Sequence, residues 1–596
     1  MFQRGVPIPP RVKYRAFWVL AISGLLGFRV GIVGYPTWQI AVETAQVVAG
    51  LVQYPSDNPF YIYHTKLWSL AIQLCAVALR AGASEITLSL LLSGLLGMIS
   101  FQALAMIVYA IGGSAFLAIG GALVVFASRV TDHGVVYPIF LLGTHHTYGA
   151  LGLSLFVLVI ALIGAGFYRT GLFLLGMAPA VHPSVGVWVG AVAAIAFAWD
   201  FRRLREEFRP ALKYFVAGCA VTLVSLLVQY TFIYHRTHAD PAAVARTFST
   251  FVNLWDDHRR AAAGTESVGV IFNRLVLALS LIWLIGFARD LPLRTVFVLR
   301  VAVVAAAISL AFVVVSWLPP GSLPMTLSIL MPARLLNFDV MIVVPLLLGL
   351  MALHRQKLSV QFLTLILLAG VLLARGSMFW AWAAEHQWRV WSVPVEPTLV
   401  LEMTALGLVC VALSSVNPRG SGHDSTTRRI ASIAVRASTA FVVLVAFGLT
   451  WRVAQPSSSL RDRTNDPFFR EVAGDHRGLI VTAGTFQLVQ LYTRRPVLID
   501  SGALDTMVYA PESGPALAKI LRDVYGIDFF NPPPEVRSAS AVPHAISRAN
   551  WARMPREQWQ QIRKAYNVTQ IVAPHDYVLD LPIAAENEQL RLYRIP

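Results

Sequence analysis

Charged residues are scarce in this chain of 596 residues, and their scarcity limits the fold. Asp, Glu, Lys and Arg make up 13% of the residues and hydrophobic residues 56%, and the mean hydropathy is +0.62. Soluble domains carry about 25% charged residues. Apolar runs of about 17–25 residues, the length that spans a bilayer, recur between residues 17 and 453. The sequence therefore predicts a polytopic α-helical membrane protein, because a helix satisfies its own backbone groups in lipid.

Cysteine is nearly absent, and so are the short motifs of common soluble enzymes. Cys75, Cys219 and Cys410 all lie in apolar segments, which is typical of small core residues and gives no disulfide framework. The chain has no GxGxxG after a strand, no Walker loop, no HExxH and no GxSxG. These absences argue against P-loop nucleotide hydrolysis and against zincin or α/β-hydrolase sites.

Acidic residues are fewer than basic ones, 32 against 48, which gives a formal net charge of +16. The basic residues cluster in short loops between apolar segments, as positive-inside topology produces. No recognised nucleic-acid-binding module accompanies them, so we predict no nucleic-acid partner. No convincing small-residue cleavage site follows the basic stretch before Phe17, which predicts an uncleaved first span with a cytoplasmic N-terminus.

The apolar segments predict about 13 transmembrane helices. Segments 67–82 and 170–181 are short enough to be re-entrant or interfacial, and one of them is counted as spanning. Placing the Arg-rich loops in the cytoplasm leaves 35–66, 236–266 and everything after 453 on the outer side. The apolar segments are 16–34, 67–82, 87–110, 113–128, 147–167, 170–181, 183–200, 214–235, 267–287, 295–317, 336–353, 360–380, 398–415 and 436–453.

After residue 453 the composition changes, and it predicts a small extracytoplasmic α/β domain. We divide the chain into a transmembrane domain, 1–454, and a periplasmic domain, 455–596. Alternating strand and helix patterns support the division. The predicted strands are 478–482, 496–500, 568–573 and 589–595, and the predicted helices are 486–492, 515–525 and 555–566.

The first outer loop, 35–66, holds two acids, Glu43 and Asp57. A carboxylate after a first span can act as a general base for a hydroxyl acceptor or hold a divalent metal beside a lipid phosphate. Both acids are therefore candidate catalytic residues. The alternative is that Glu43 lies on the solvated face of an interfacial helix and that Asp57 caps the following turn.

A second outer loop carries histidines, arginines and acids close together. Arg236, His238 and Arg259 are candidate ligands of a diphosphate or phosphate. Asp256 and Asp257 are candidate metal ligands. The alternative is a solvated loop.

Three further polar residues lie at the ends of predicted spans. His146 could bind phosphate when protonated, or it could cap the helix that follows. Arg334 is placed to meet a lipid phosphate, or to extend to the headgroups without a specific ligand. Asp339 follows Arg334 closely enough to pair with it.

Three phrases resemble the GT-C membrane glycosyltransferases, whose relatives include protein mannosyltransferases, oligosaccharyltransferase catalytic subunits and aminoarabinose transferases. AVETAQVVAGLVQYPSDNPF is similar to the first-loop pattern of that group, and LYTRRPVLIDS and DVYGIDFF are similar to the tails of its uncharacterised bacterial members. The order of one span, a large outer loop, many spans and a C-terminal domain is also similar. Directly after the first span, where the group carries an acidic residue, this chain has GYPTWQ, and Glu43 follows later.

The resemblance implies a polyprenyl-phosphate sugar donor, inverting transfer at the outer face of a bacterial inner membrane, and a loop carboxylate as base or metal ligand. Glu43 or Asp57 takes that role, and Arg334, Arg259 and His238 bind phosphate. The expected partners are membrane lipid and the lipid-linked sugar, and a divalent cation, Mg or Mn, is the candidate cofactor. The alternative is a non-catalytic or transporting protein of envelope polysaccharide biogenesis that binds a lipid-linked glycan.

Overall fold

The computed structural model describes residues 10–127, 141–256, 268–315, 324–331, 335–354, 466–474, 477–483, 488–500, 504–537 and 539–596, with isolated positions between 357 and 448. The predicted site residues Asp257, Arg259 and Arg334 lie outside the described residues. So do most of the predicted spans 360–380, 398–415 and 436–453.

Helices dominate the part of the chain up to residue 354. Short π-helical turns extend α1, α11 and α12. In order, the helices are α1 (Pro10–Arg29), α2 (Ile40–Val48), α3 (Pro59–Lys66), α4 (Leu70–Arg80), α5 (Glu85–Gly112), α6 (Ala115–Ala127), α7 (Thr147–Gly164), α8 (Tyr168–Val181), α9 (Pro183–Trp199), α10 (Phe201–Phe208), α11 (Leu212–Val228), α12 (Pro241–Thr250), α13 (Val268–Gly286), α14 (Leu293–Val315), α15 (Met325–Leu330) and α16 (Leu336–Leu353).

Within the described residues, five helices are long and apolar enough to cross a membrane. A sixth is obtained if α3 and α4, which meet at an angle of 105°, form one broken span. This bend falls beside the segment 67–82, whose shortness predicts a re-entrant or interfacial element. The five are Tyr14–Gly34, Glu85–Gly112, Thr147–Gly164, Phe201–Ile233 and Leu293–Phe312.

Small residues bring α1 and α5 into close contact in the helical bundle. A Cβ atom added to Gly27 would lie 2.2 Å from the carbonyl oxygen of Gly97, and one added to Gly31 would lie 2.1 Å from that of Ser93. Glycine is therefore required at both positions, as in the small-residue contacts of membrane helices. The close approach fixes the start of α5 beside the end of α1, where the first loop begins.

The C-terminal region, which is the described part of 466–596, has a four-stranded mixed sheet in the order β1-β2-β4-β3. β1 and β2 are parallel, and the other two pairs are antiparallel. The strands are β1 (Leu479–Thr482), β2 (Val568–Pro574), β3 (Ile583–Glu586) and β4 (Leu590–Arg594), and the helices are α17 (Pro467–Gly474), α18 (Val489–Thr493), α19 (Gly514–Tyr525), α20 (His544–Trp551) and α21 (Arg556–Tyr566).

Most of the predicted C-terminal elements are found where the sequence puts them. Segment 496–500, predicted as a strand, differs: it runs beside β1 through a single parallel bridge between Ile480 and Val497. β3, α17 and α20 were not predicted. The division of the chain at residues 454 and 455 stays a prediction.

Three segments far apart in sequence meet at one end of the helical bundle. They are the first loop (35–66), the second loop (described here over 234–256) and the C-terminal region, and they share one hydrophobic cluster. In that cluster Phe60 and Tyr63 come from the first loop and Phe251 and Trp255 from the second. The positive-inside rule predicts all three on the same side, so their contact is consistent with that prediction.

Candidate active site

The helix α2 is held in place by the beginnings of two membrane helices. The side chain of Gln39, just before α2, donates from Nε2 to Ser93 Oγ of α5 at 3.2 Å and accepts at Oε1 from Thr147 Oγ1 of α7 at 2.7 Å. The backbone N–H of Ile40 donates to the carbonyl oxygen of His145 at 3.1 Å. These bonds fix the first turn of α2, which includes Glu43.

The C-terminal region covers the other side of α2 through α18. Gln490 Nε2 donates to the backbone carbonyl oxygen of Glu43 at 2.9 Å. Gln46, almost one turn later on α2, donates from Nε2 to the carbonyl oxygen of Leu491 at 3.2 Å. Glu43 therefore lies at the junction of α2 and α18, and not on the solvated face that the alternative interpretation gave it.

Glu43 is half-buried, and its environment alters its acidity. Burial, together with a smaller effect of the nearby charge of Asp500, raises the pKa of the Glu43 carboxyl to about 8. Asp500 is itself buried, at the end of the segment that runs beside β1. Two carboxyl groups from opposite ends of the chain thus share one site, and such a pair is typical of acid–base chemistry.

Tyr54 connects the two sides of this site. Its hydroxyl donates to Gln490 Oε1 at 2.5 Å and accepts from the backbone N–H of Val497 at 3.2 Å. Burial raises the pKa of the Tyr54 hydroxyl well above its usual value, and the charges of Glu43 and Asp500 act in the same direction. Tyr54 is therefore a neutral hydroxyl beside both carboxyl groups.

A second polar chain begins at Thr44, the residue after Glu43. Tyr148 donates from its hydroxyl to Thr44 Oγ1 at 3.3 Å, and Thr44 Oγ1 lies 3.1 Å from Nδ1 of the buried His64. With Tyr148 as donor, the Thr44 proton points to Nδ1, and His64 then carries its own proton on Nε2. Within the described part of the chain, that Nε2 atom has no hydrogen-bond partner.

Asp57, the other candidate acid of the first loop, is exposed. The capping role that the sequence gave it as an alternative belongs to its neighbour. Asn58 Oδ1 accepts from the backbone N–H groups of Phe60 at 2.8 Å and Tyr61 at 3.3 Å, at the start of α3. An amide fits there because its Nδ2 also donates to the carbonyl oxygen of Leu498 at 3.0 Å, which a carboxylate cannot do.

The second loop places its candidate residues differently. Arg236 and His238 are exposed, whereas Asp256 is buried. The described residues contain no group of three or more His, Cys, Asp or Glu side chains that could hold a metal ion. The metal site predicted at Asp256 and Asp257 stays a prediction, because Asp257 lies outside the described residues.

His146 is exposed and directly precedes α7. Its ring lies 4.1 Å from that of His145, and its side chain makes no capping hydrogen bond at the start of the helix. The predicted phosphate contact of His146 stays a prediction, as do those of Arg334 and Arg259. Among the described candidates, Glu43 is the one that the structure places inside the junction.

Sequence reasoning missed the residues that complete the site, namely Tyr54, His64, Gln490 and Asp500. Asp500 had one available signal, because it is the last residue of the predicted strand 496–500, and functional side chains collect at the carboxyl ends of strands. Gln490 had none, since its partner on α2 is 447 residues away.

No family model matches this sequence, and no curated protein matches it. Among solved structures, the chain is similar to ArnT from Cupriavidus metallidurans in a crystal structure with bound undecaprenyl phosphate. The TM-score is 0.47 and the identity 13%, and the match covers 98% of this chain and 97% of that one. It is also similar to the apo form, with a TM-score of 0.46, 13% identity and 98% of each chain covered.

Proposed function

We propose that this chain is an integral membrane glycosyltransferase that transfers a sugar from a polyprenyl-phosphate carrier to an envelope acceptor, with Glu43 at the reacting centre. The observation that carries the proposal is the half-buried Glu43 carboxyl, fixed between α2 and α18 beside Asp500, with a pKa raised to about 8. The class of donor and the location in a bacterial inner membrane come from the sequence resemblance.

A carboxyl group with a pKa near neutrality suits general base catalysis. Its pKa is close to the working pH, so part of the molecules carry the ionised carboxylate, which can take up a proton. In the proposed transfer the acceptor hydroxyl oxygen bonds to the anomeric carbon of the sugar, and the bond from that carbon to the carrier phosphate breaks. The hydroxyl proton passes to the ionised form of Glu43, and the carrier leaves as the polyprenyl phosphate.

Glu43 and Asp500 are the two carboxyl groups at this centre, and we derive no step through a metal ion, since the described residues offer no larger ligand set. Contacts of the carrier phosphate with Arg236, His238, Arg259 and Arg334 are part of the proposal. Arg236 and His238 are exposed, as a group that receives a ligand from the membrane surface has to be.

The test is turnover of polyprenyl-phosphate-linked sugars by the purified protein. We expect Glu43→Gln to lower turnover by about 10²- to 10⁴-fold, the usual contribution of general base catalysis. Asp57→Asn is the matched control, because it neutralises the other, exposed acid of the same loop, and its turnover should stay within about twofold of the wild type.

Unchanged turnover in Glu43→Gln would contradict the site. Absence of turnover with every donor, together with binding of a lipid-linked glycan, would favour the non-catalytic or transporting alternative.

A further inference from the structure

Gln490 occupies the centre of the contact between α2 and the C-terminal region. Its side chain is fully buried, and it is the second residue of α18, which Leu488 directly precedes. Leu488 has a φ angle of +75°, a left-handed conformation that is costly for leucine. Leu488 packs in one hydrophobic cluster with Val42 and Ala45 of α2, so contact with α2 stabilises the turn that presents Gln490.

Both ends of the Gln490 amide are engaged, and the partners fix which end is which. The backbone carbonyl of Glu43 can only accept, so the atom 2.9 Å from it is the amide nitrogen. The amide oxygen accepts from the Tyr54 hydroxyl, which in turn accepts from the N–H of Val497. A continuous hydrogen-bonded chain therefore runs from the C-terminal region through Tyr54 and Gln490 to the main chain of Glu43.

This series of hydrogen bonds restrains Glu43 through its backbone, without contact to its carboxyl group. The carbonyl that accepts from Gln490 belongs to the peptide unit that follows the Cα atom of Glu43. The amide thus restrains the backbone from which the carboxyl projects, and Gln46 supplies the second attachment of α2, to Leu491. Loss of the Gln490 bond would loosen the contact of this turn of α2 with α18 and let water reach the junction.

We propose that Gln490 is a positioning residue, through which docking of the C-terminal region on α2 sets the location and the partial burial of Glu43. The inference rests on the proposed function only for its effect on turnover. The effect of Gln490 on Glu43 in the protein without substrate does not depend on the proposed function and is tested separately.

Three variants distinguish the positioning role of Gln490 from a general effect of weakening the contact between the C-terminal region and the helical bundle. Gln490→Leu keeps the size of the side chain and removes its hydrogen bonds to Glu43, Tyr54 and Gln46. Tyr54→Phe removes a single hydroxyl group and leaves Gln490 bonded to Glu43. Arg494→Gln is the matched control, because Arg494 joins the same α18 segment to Glu85 of α5 through bonds of 2.6 and 3.0 Å that do not involve Glu43.

The experiment is infrared spectroscopy of the full-length protein. The C=O stretching band of the protonated Glu43 carboxyl is isolated as the difference between each variant and its Glu43→Gln counterpart, and its intensity is followed against pH. In the wild type the band should fall to half near pH 8, in keeping with the pKa of Glu43. Gln490→Leu should move this midpoint down by about one pH unit or more, since hydration favours the ionised form. Tyr54→Phe should move it less, and Arg494→Gln should leave it unchanged.

A midpoint in Gln490→Leu equal to that of the wild type would overturn the proposal, and so would an equal shift in Arg494→Gln. If Gln490→Leu does not fold, Tyr54→Phe decides by the same comparison with Arg494→Gln. Turnover measured in parallel keeps the two proposals apart: if no variant turns over any donor while the midpoint shifts as expected, the proposed function fails and the positioning role stands.

Discussion

The first loop and the second loop both meet the C-terminal region, yet they meet it with different chemistry. The first loop contributes polar contacts: Gln46, Tyr54 and Asn58 all hydrogen-bond to the segment 490–498. The second loop contributes mainly apolar surface, with Trp255 buried among residues of the C-terminal region. Arg236 and His238, near its start, are exposed.

This difference shows that a high density of charge in a sequence does not locate a site. The second loop has more histidine, arginine and acid than the first, but a solvated charge loses little by remaining unpaired. Glu43 is one acid in a stretch with few charged residues, and the packing of a distant segment over it raises its pKa. The following predictions test this contrast between a polar, enclosed contact and an apolar contact with exposed charges.

The largest effect on stability is expected for the apolar contact of the second loop. Trp255 is fully buried, donates from Nε1 to the carbonyl oxygen of Phe529 at 2.9 Å and stacks on the Phe529 ring at 5.7 Å. Trp255→Ala should cost about 3–5 kcal/mol, measured as a lower melting temperature in detergent. Trp199→Ala, at an exposed tryptophan, is the control. Equal losses in both variants would contradict the assigned packing.

Glu43 should make stability depend on pH in the alkaline direction. Its folded pKa of about 8 lies above the value of 4.5 for a free glutamate, so the folded state holds a proton that the unfolded state releases between these values. The contribution of Glu43 is therefore fully present below pH 4.5 and is lost as the pH rises through 8. In Glu43→Gln the free energy of unfolding should decrease less as the pH rises, by up to a few kcal/mol.

Melting temperatures of the wild type and Glu43→Gln between pH 4.5 and 9 measure the effect. The difference between the two proteins should grow with pH. A constant difference would mean that Glu43 is solvated like the charges of the second loop, and the contrast between the loops would disappear.

Asn58 should contribute a smaller amount to the polar contact. Asn58→Ala removes the cap of α3 and the hydrogen bond to Leu498, and loss of a cap costs about 0.5–2 kcal/mol. Asn58→Asp keeps the capping oxygen and removes only the Nδ2 donor, so it should fall between Asn58→Ala and the wild type in melting temperature. A larger loss in Asn58→Asp than in Asn58→Ala would show that the cap is not the main contribution.

The smallest effect on stability is expected for the exposed charges of the second loop. Arg236→Gln and His238→Gln should change stability by less than about 0.5 kcal/mol, because surface substitutions away from special features are usually neutral. Raised KM for the lipid-linked donor with unchanged melting temperature would assign them to phosphate binding. A large loss of stability would show that these charges pack as the polar groups of the first loop do.

Much of the C-terminal fold could be predicted from local sequence. The run Leu479–Thr482 at β1 and the alternating pattern of β4 predict their elements directly, because short runs rich in β-branched and aromatic residues between turn residues favour strands. β3 (Ile583–Glu586) was missed because its sequence, IAAE, lacks β-branched and aromatic residues beyond the first. Its pairing with β4 stabilises it, and pairing is a tertiary effect.

The candidate site could be predicted only in part, and for a different reason. The polarity and position of the first loop predict that it contributes to the functional site. Which of its acids lies in the junction depends on α18, more than 400 residues later, and no local pattern encodes that contact. For the same reason the choice between Asp57 and Asn58 as the cap of α3 depends on the carbonyl of Leu498.

Glu43 and Asp500 are 457 residues apart in sequence, and this separation determines the delay between their synthesis on the ribosome. At about 5–20 residues per second, a ribosome takes roughly 20–90 s to make the stretch between them. Once α5 and α7 have been made, α2 can pack against them while its C-terminal cover has not yet been translated. The nascent protein therefore passes through a stage in which Glu43 is hydrated and ionises as an ordinary glutamate, and its unusual acidity appears only when the last part of the chain docks.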